Sequence, residues 1–356
     1  MQDALPAELT NLELESATPE ELEPGVWRVP VPLPFGAHVV NLYLLGGADP
    51  TRGWCLIDCP LDTEPAETAL RDALDRIGIT LAAISAIVLT HTHPDHLGAA
   101  GAWQRLTGAP VYLLASEAQS IVPLWGDLDN AAFITAARTL VAHGMPGDEA
   151  QALITRAVQL RRLLVLPHQP HILAHNQRIQ LAGAPAPVYW TPGHADGHLC
   201  LLREDGLLVV GDAVLPIMRP TIGWYPWSRP DPLADQLATL KLLGDLPAHL
   251  ALPGHGRPIV DLRQRTDALC GDYSHQLVTV SRLLADAPDG LTAYALANVL
   301  FPLRVRAVGS RLVAMAEAVA LLEHLCIIGR AERHAADDGA LSYLRADESA
   351  GRQASA

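Results

Sequence analysis

A chain of 356 residues exceeds the usual size of one domain, which points to one large domain with an appendage. Its hydrophobic content of 49% allows a substantial core, yet no uninterrupted apolar run reaches the ~18 residues of a membrane span. The formal net charge is −14, and of the 25 basic residues only Lys241 is a lysine; such an acidic chain repels phosphate backbones at long range, which counts against a nucleic-acid substrate.

Residues 1–24 are polar and acidic, without the basic and apolar regions of a secretory signal, and predict an irregular leader. The five cysteines (Cys55, Cys59, Cys200, Cys270, Cys326) are scattered and odd in number, which fits reduced thiols in the cytoplasm. Val26–Leu33, Val39–Leu45 and Trp54–Asp58 read as early strands. Thr63–Ile77 reads as a helix with Pro65 near its first turn. The apolar run Ile84–Leu89 predicts a buried strand, followed by a helix over Gly98–Leu106 and a strand over Val111–Leu114. Residues 116–165 are rich in Ala, Leu and Arg without β-like alternation. They predict an inserted helical segment broken near Gly144-Met145-Pro146-Gly147, serving as a substrate lid or as extra outer packing. Helices follow over Pro232–Leu243 and Asp261–Ala285, then a joint at Ala285–Gly290. Beyond the joint come helices over Leu291–Leu300 and Arg311–Ile328 and a hairpin of Arg330–Arg333 with Leu341–Arg345 around Asp337-Asp338-Gly339. Helix, helix, hairpin is a winged-helix-like order. From Gly290 onward seven arginines face seven acidic residues, and this neutral balance favours packing or dimerisation over nucleic-acid binding.

The chemistry concentrates in Thr90-His91-Thr92-His93-Pro94-Asp95-His96, where His91, His93, Asp95 and His96 follow a predicted buried strand. Loops at strand ends are where α/β folds tend to place reactive groups. Neutral imidazole with carboxylate suits zinc, iron or manganese. Three further strand-like segments end in Gly or Pro beside a ligand-type residue: Val188–Trp190 before His194, Leu207–Val210 before Asp212, and His249–Leu252 before His255. No GxSxG motif, P-loop or dinucleotide fingerprint offers a different chemistry.

Together these residues resemble the metallo-β-lactamase superfamily: an HxHxDH motif at His91, His93, Asp95 and His96, then His194, Asp212 and His255. Asp58 in Cys55-Leu56-Ile57-Asp58-Cys59 is similar to the family's early LIDTG-like strand end. The resemblance spans roughly residues 25–260. The all-His second site resembles the glyoxalase II-like branch, and the antibiotic-degrading branch commonly has a cysteine where this chain offers Asp212, which counts against a true β-lactamase. The resemblance implies an α/β fold, a four-layer αββα sandwich, with a catalytic domain over 25–285 carrying the insertion. A winged-helix-like C-terminal domain over 290–345 and a disordered tail over 346–356 would complete the chain.

The same resemblance implies two divalent metal ions, zinc first, with iron or manganese as alternatives. His91, His93 and His194 would hold one ion, Asp95, His96 and His255 the other, and Asp212 would bridge them. A metal-bridging hydroxide would be the nucleophile, with Asp95 and Asp212 as the catalytic carboxylates. Asp58 reads as the acceptor for a metal-bound histidine, and His198 as a residue that holds the His194 loop. His168, His171 and His175 read as surface or pocket-rim residues. In the segment 221–230, Trp224, Tyr225 and Trp227 suit the wall of an apolar pocket or a cover over the core, and Arg229 suits an anionic substrate group.

These expectations describe a cytoplasmic hydrolase of an ester, thioester or lactone with a small-molecule substrate, no nucleic acid, no membrane and a homodimer as its assembly. Acyl-homoserine lactonases often carry a tyrosine shortly after the bridging aspartate, where this chain has Ala213, Val214 and Leu215. The alternatives are a phosphodiesterase or endoribonuclease, a mononuclear iron persulfide dioxygenase, and a protein that keeps its metal for structure alone.

Overall fold

The computed structural model describes residues 18–34, 39–46, 53–126, 129–304 and 308–346. One sheet contains, in order, β1 (Glu20–Glu23), β2 (Val26–Pro32), β3 (Val39–Leu45), β4 (Trp54–Ile57), β5 (Ile84–Val88), β6 (Val111–Leu114) and β7 (His171–Leu173). Its pairs are antiparallel as far as β4 and parallel from β4 to β7. The second sheet contains β8 (Arg178–Leu181), β9 (Ala184–Trp190), β10 (Leu199–Leu202), β11 (Leu207–Gly211) and β12 (Leu250–Pro253), with β11 and β12 parallel and the rest antiparallel.

The period-two alternation of each strand builds the layers. Val40, Leu42 and Leu44 face an apolar cluster with helices α1 (Glu64–Ile77) and α3 (Ala100–Thr107), which flank the short α2 (Pro94–Leu97). Tyr43 and Leu45 face the other way, into a cluster with Leu199, Leu201, Leu207, Val209, Leu250 and Leu252 of the second sheet. Cys200, Leu202, Leu208, Val210 and Ala251 then meet a second helical layer. The result is the four-layer αββα sandwich.

The inserted segment forms α4 (Ala115–Ile121), a π-helical turn over Val122–Gly126, α5 (Ala131–Ala142) and α6 (Gly147–Arg161). It is broken at Gly144, whose φ of 95° lies in the left-handed region. The second helical layer consists of α7 (Pro232–Gly244) and α8 (Leu262–Ala285), to which α9 (Ala293–Leu300) and α10 (Val308–Ile327) are added. The hairpin of β13 (Ala331–Ala335) and β14 (Leu341–Arg345) follows, with Leu291 bridged to Tyr343. One continuous apolar cluster includes Leu233 and Leu240 of α7, Tyr273 of α8 and Met315, Leu322 and Leu325 of α10. The C-terminal elements thus share a core with the sandwich.

Several expectations need correction. The leader does not run to residue 24: Glu20–Glu23 is an edge strand paired with β2, an acidic segment without apolar alternation. Residues 1–17 of the expected leader and 347–356 of the expected tail lie outside the described residues. His171 sits in β7, and His168, His171 and His175 are all exposed, in agreement with the surface reading. Leu291 belongs to a β-bridge, and its helix starts at Ala293 behind the Thr292 cap.

Leu322 is fully buried where α10 meets the second helical layer. Leu322→Ala is expected to lower unfolding stability by about 2–5 kcal/mol, read by urea denaturation with a single transition. A loss well under ~1 kcal/mol would mean that the C-terminal elements are not part of the cooperative core.

Candidate metal centre

Five strand ends converge on one point between the sheets. β4 leads into Asp58, β5 into His91, His93 and α2, β9 into the His194 loop, β11 into Asp212 and β12 into His255. His91 Nε2, His93 Nδ1 and His194 Nε2 approach one another at 2.9, 2.9 and 3.3 Å. Asp212 Oδ2 lies 3.6 Å from His194 Nε2, 3.6 Å from His96 Nε2 and 3.5 Å from His255 Nε2. Asp95 Oδ2 lies 3.4 Å from His255 Nε2 and 3.9 Å from His96 Nε2. Ligands held tetrahedrally at about 2.1 Å from an ion stand about 3.4 Å apart, so these spacings match a ligand cage. Three groups fall within 4.8 Å internally: His91, His93 and His194; His91, His96 and Asp212; Asp95, His96 and His255.

The hydrogen bonds behind these rings set their tautomers. His96 Nδ1 donates to Asp58 Oδ2 at 2.8 Å, His194 Nδ1 to the Thr221 carbonyl at 2.8 Å, and His255 Nδ1 to the Val39 carbonyl at 2.8 Å. The Thr90 hydroxyl donates to Asp58 Oδ2 at 2.9 Å, so its oxygen accepts from His91 Nδ1 at 3.0 Å. Four rings therefore turn Nε2 inward: those of His91 and His194 face each other and His93 Nδ1, and those of His96 and His255 face Asp212 and Asp95. Buried lone pairs in that arrangement repel unless a cation lies between them. Among the described residues, buried His96 Nε2 and Asp212 Oδ1 have no hydrogen-bond partner. Gly254 leaves room beside both: a Cβ there would lie 2.2 Å from Asp212 Oδ1 and 2.6 Å from His96 Cε1. The donor set fits divalent metal.

Electrostatics divides the cluster into two halves. Burial lowers His91 well below its usual value, and burial with His93 brings His194 down to about 4, so both are neutral ligands near pH 7. Burial opposes charge on His255, yet Asp212 and Asp95 outweigh it and raise the group to about 9. Burial likewise opposes the Asp212 carboxylate, while His255 and His96 hold it well below the usual range. The carboxylate-rich half thus attracts positive charge.

Asp58 accepts from Thr90 N at 2.7 Å as well as from Thr90 Oγ1 and His96. His198 does not join the converging atoms. Its Nε2 accepts the Asp212 backbone N–H at 3.1 Å, and its Nδ1 contacts Thr191 Oγ1 at 2.9 Å, so it holds two loops together.

The aromatic segment divides its contacts. Trp224 packs against the helical core, with its ring 6.3 Å from that of His143 and its backbone N–H on the Ala316 carbonyl of α10. Tyr225 and Trp227 stack on each other at 5.3 Å, and Trp227 is exposed. The expectation for Arg229 needs correction: its guanidinium is engaged by Asp235 at 2.6 and 3.2 Å and lies over the Trp190 ring, rather than free for a substrate anion.

Three residues without a ligand-like signal support the site. Asn41 Nδ2 donates to the carbonyls of Pro253 and Gly256, and Tyr43 OH donates to that of Pro253, fixing the His255 loop. Glu117 of α4 joins two ligand loops, accepting from Thr92 and Gly197. Asn41 and Tyr43 sit within an apolar strand, and Glu117 sits in an ordinary-looking helix. No spacing in the sequence marks them.

Asp58 has a φ of 62°, a conformation Asn also tolerates, so Asp58→Asn changes chemistry with little backbone strain. Its amide must present N–H₂ to a donor where a carboxylate oxygen accepted. Metal affinity is expected to fall about 10–100-fold, measured by chelator competition. Unchanged affinity would mean that the His96 tautomer is set elsewhere.

Comparisons with known proteins agree with this geometry. Residues 35–255 match the sequence profile of the Metallo-beta-lactamase superfamily. The probable metallo-hydrolase YqjP of Bacillus subtilis (strain 168) is 27% identical over 296 residues, 78% of this chain and 85% of that protein. A metallo-beta-lactamase family protein from Thermus thermophilus has a crystal structure with TM-score 0.80 and 35% identity, covering 91% of this chain and all of its own. The thioesterase pkgB of Emericella nidulans is 33% identical over 107 residues, 29% of each chain. With the converging histidines and aspartates already in place, the profile match and the Thermus structure show that this chain belongs to the metallo-β-lactamase superfamily and is a metallo-hydrolase.

Proposed function

We propose that the chain is a dinuclear hydrolase of the glyoxalase II-like branch that cleaves an ester, thioester or lactone carrying an apolar acyl group. The observation that carries the dinuclear part is the position of Asp212 Oδ2, 3.5–3.6 Å from histidines of both ligand sets. Bound there, two divalent ions, zinc first, would polarise an acyl oxygen and bring the pKa of water towards neutrality. The chain's own contribution is orientation. Asp212, His91, His96, His194 and His255 are fixed by hydrogen bonds with His198, Thr90, Asp58, Thr221 and Val39 respectively. Asp95 is part-exposed and kept ionised, since His96 and His255 outweigh the burial that opposes its charge.

The rim supports an apolar acyl group. Pro216 lies against Gly256, next to His255, and Ile217 and Met218 follow it at 71% and 41% exposure. Arg265 pins this turn, donating to the carbonyls of Leu215, Ile217 and Met218. A rigid apolar rim gains about 25 cal/mol for each Å² it removes from water. The local likeness to pkgB, named a thioesterase, points to the same bond class.

A phosphodiesterase or ribonuclease reading is disfavoured by the tail, whose Arg304, Arg311 and Arg333 are each paired with a carboxylate: Glu317, Glu149 and Glu323. Guanidinium groups so engaged are poorly placed to neutralise phosphates.

Metal-replete protein is expected to contain close to two transition-metal ions per chain by elemental analysis; at most one would sink the dinuclear reading. Asp212→Ala should reduce kcat by several orders of magnitude with the fold retained. Across a panel of thioester, lactone, phosphodiester and RNA substrates, turnover should concentrate in the acyl compounds. Ile217→Ser is expected to raise KM several-fold for a long-chain acyl thioester and to leave an acetyl thioester nearly unchanged. Equal effects on both would remove the rim from substrate recognition.

A further inference from the structure

Thr92 separates two histidines of the first ligand set, and one segment of the insertion engages its N–H, hydroxyl and carbonyl. Its N–H donates to Glu117 Oε2 at 2.8 Å, and its hydroxyl donates to the same oxygen. Its carbonyl accepts from Trp125 Nε1 at 3.0 Å. The other oxygen, Glu117 Oε1, accepts the N–H of Gly197 at 2.8 Å, in the loop that carries His194. Glu117 is 4% exposed, so this carboxylate is buried with its donors.

We propose that Glu117 is a positioning residue for the first metal, setting the distance between the loop of His91 and His93 and the loop of His194. The inference rests on the metal-site reading above. β5 and β9 belong to different sheets, so no strand pairing between them fixes where their loops meet. A backbone bond from Leu199 N to Thr90 O, 2.9 Å, joins the two sides at one level. Two residues further along, at Thr92 and Gly197, the glutamate carboxylate spans the gap, with one oxygen on each side. Gly197 permits this closeness, since a Cβ there would lie 2.2 Å from Ser116 Oγ and 2.9 Å from the Glu117 backbone nitrogen.

The geometry also says which substitution is informative. Both carboxylate oxygens act as acceptors, so an amide in their place must turn its N–H₂ towards either the Thr92 side or Gly197 N–H. One side of the span opens whichever way the amide sits. The first ligand set would then lose its registration, while Asp95, His96 and His255 keep their own supports in Asp58 and Val39.

The test uses the full-length chain with zinc as the probe and a chromophoric chelator as competitor. Wild-type protein should hold two ions, and Glu117→Gln should weaken one of them about 10–100-fold while the other stays near wild type. In a His194→Ala background, where the first set is already disabled, Glu117→Gln should change zinc affinity less than about two-fold, because the two residues act on one site. An equal loss in both backgrounds would show a general structural effect and overturn the proposal. Unaltered zinc binding by folded Glu117→Gln would do the same while leaving the metal reading intact. Wild-type protein that binds no zinc would instead remove the metal reading, and this inference with it. If Glu117→Gln fails to fold, Thr92→Val decides, since it keeps the carboxylate and removes only the hydroxyl donor. A several-fold loss absent from the His194→Ala background supports the span, and no loss sinks it.

Discussion

The site depends on a repulsion. His91 and His194, both held neutral, turn Nε2 atoms towards each other and towards His93 Nδ1, while His96 and His255 turn theirs towards Asp212 and Asp95. Such an arrangement is costly for a protein alone, because each buried lone pair without a donor forfeits about 1–3 kcal/mol. It persists because the opposite ring nitrogen of His91, His96, His194 and His255 is in each case committed outward, to Asp58, Thr90, Thr221 or Val39. The acceptors behind the rings hold the tautomer that a cation requires in front of them.

That requirement explains the architecture around the site. A ligand loop can be placed accurately only if the strand before it is rigid, and each strand leading to a ligand is buried on at least one face by an apolar cluster. The inner faces of the two sheets interlock through Leu199, Leu201, Val209 and Leu252 with Tyr43, Leu45 and Ile57, so loops from both sheets open at the same edge. Close approach of backbone to ligand then calls for Gly254, where a side chain would occupy the space of Asp212 and His96.

Much of this was legible in the sequence, for a physical reason. Metal ligands are scarce residue types that must sit at strand ends, and strand ends are punctuated by Gly and Pro, so His91, His93, Asp95, His96, His194, Asp212 and His255 stood out in order. The sandwich was implied by the family resemblance those ligands carry. Residues that act through hydrogen bonds were harder to find. Asn41 and Tyr43 lie in a strand whose pattern speaks only of burial, and Glu117 lies in a helix where glutamate is commonplace. The aromatic run at 224–227 was conspicuous, but the direction of side chains in a loop has no periodicity to read, and Trp224 turned to the helical core. The edge strand Glu20–Glu23 was hidden because an edge needs no apolar face.

The two additions to the sandwich act on the same trio of histidines from different sides. The insertion reaches the His91 and His93 loop through Glu117 and Trp125 on Thr92. The C-terminal elements and α8 reach the His194 side: the Ala316 carbonyl accepts the Trp224 backbone N–H, and Tyr273 OH donates to the Pro220 carbonyl at 2.7 Å. Between those two anchors lies Thr221, whose carbonyl receives His194 Nδ1. A displacement of α10 would therefore be felt at a ligand nitrogen through a single short loop. The node of His143, Tyr343 and Glu323 ties insertion to tail, since Tyr343 OH donates to Glu323 at 2.6 Å and its ring stacks on His143. Insertion and tail thus form one brace around the first ligand set, while Asp95 and His255 keep partial exposure. Rigidity on one side and access on the other is the division that a hydrolytic metal site needs.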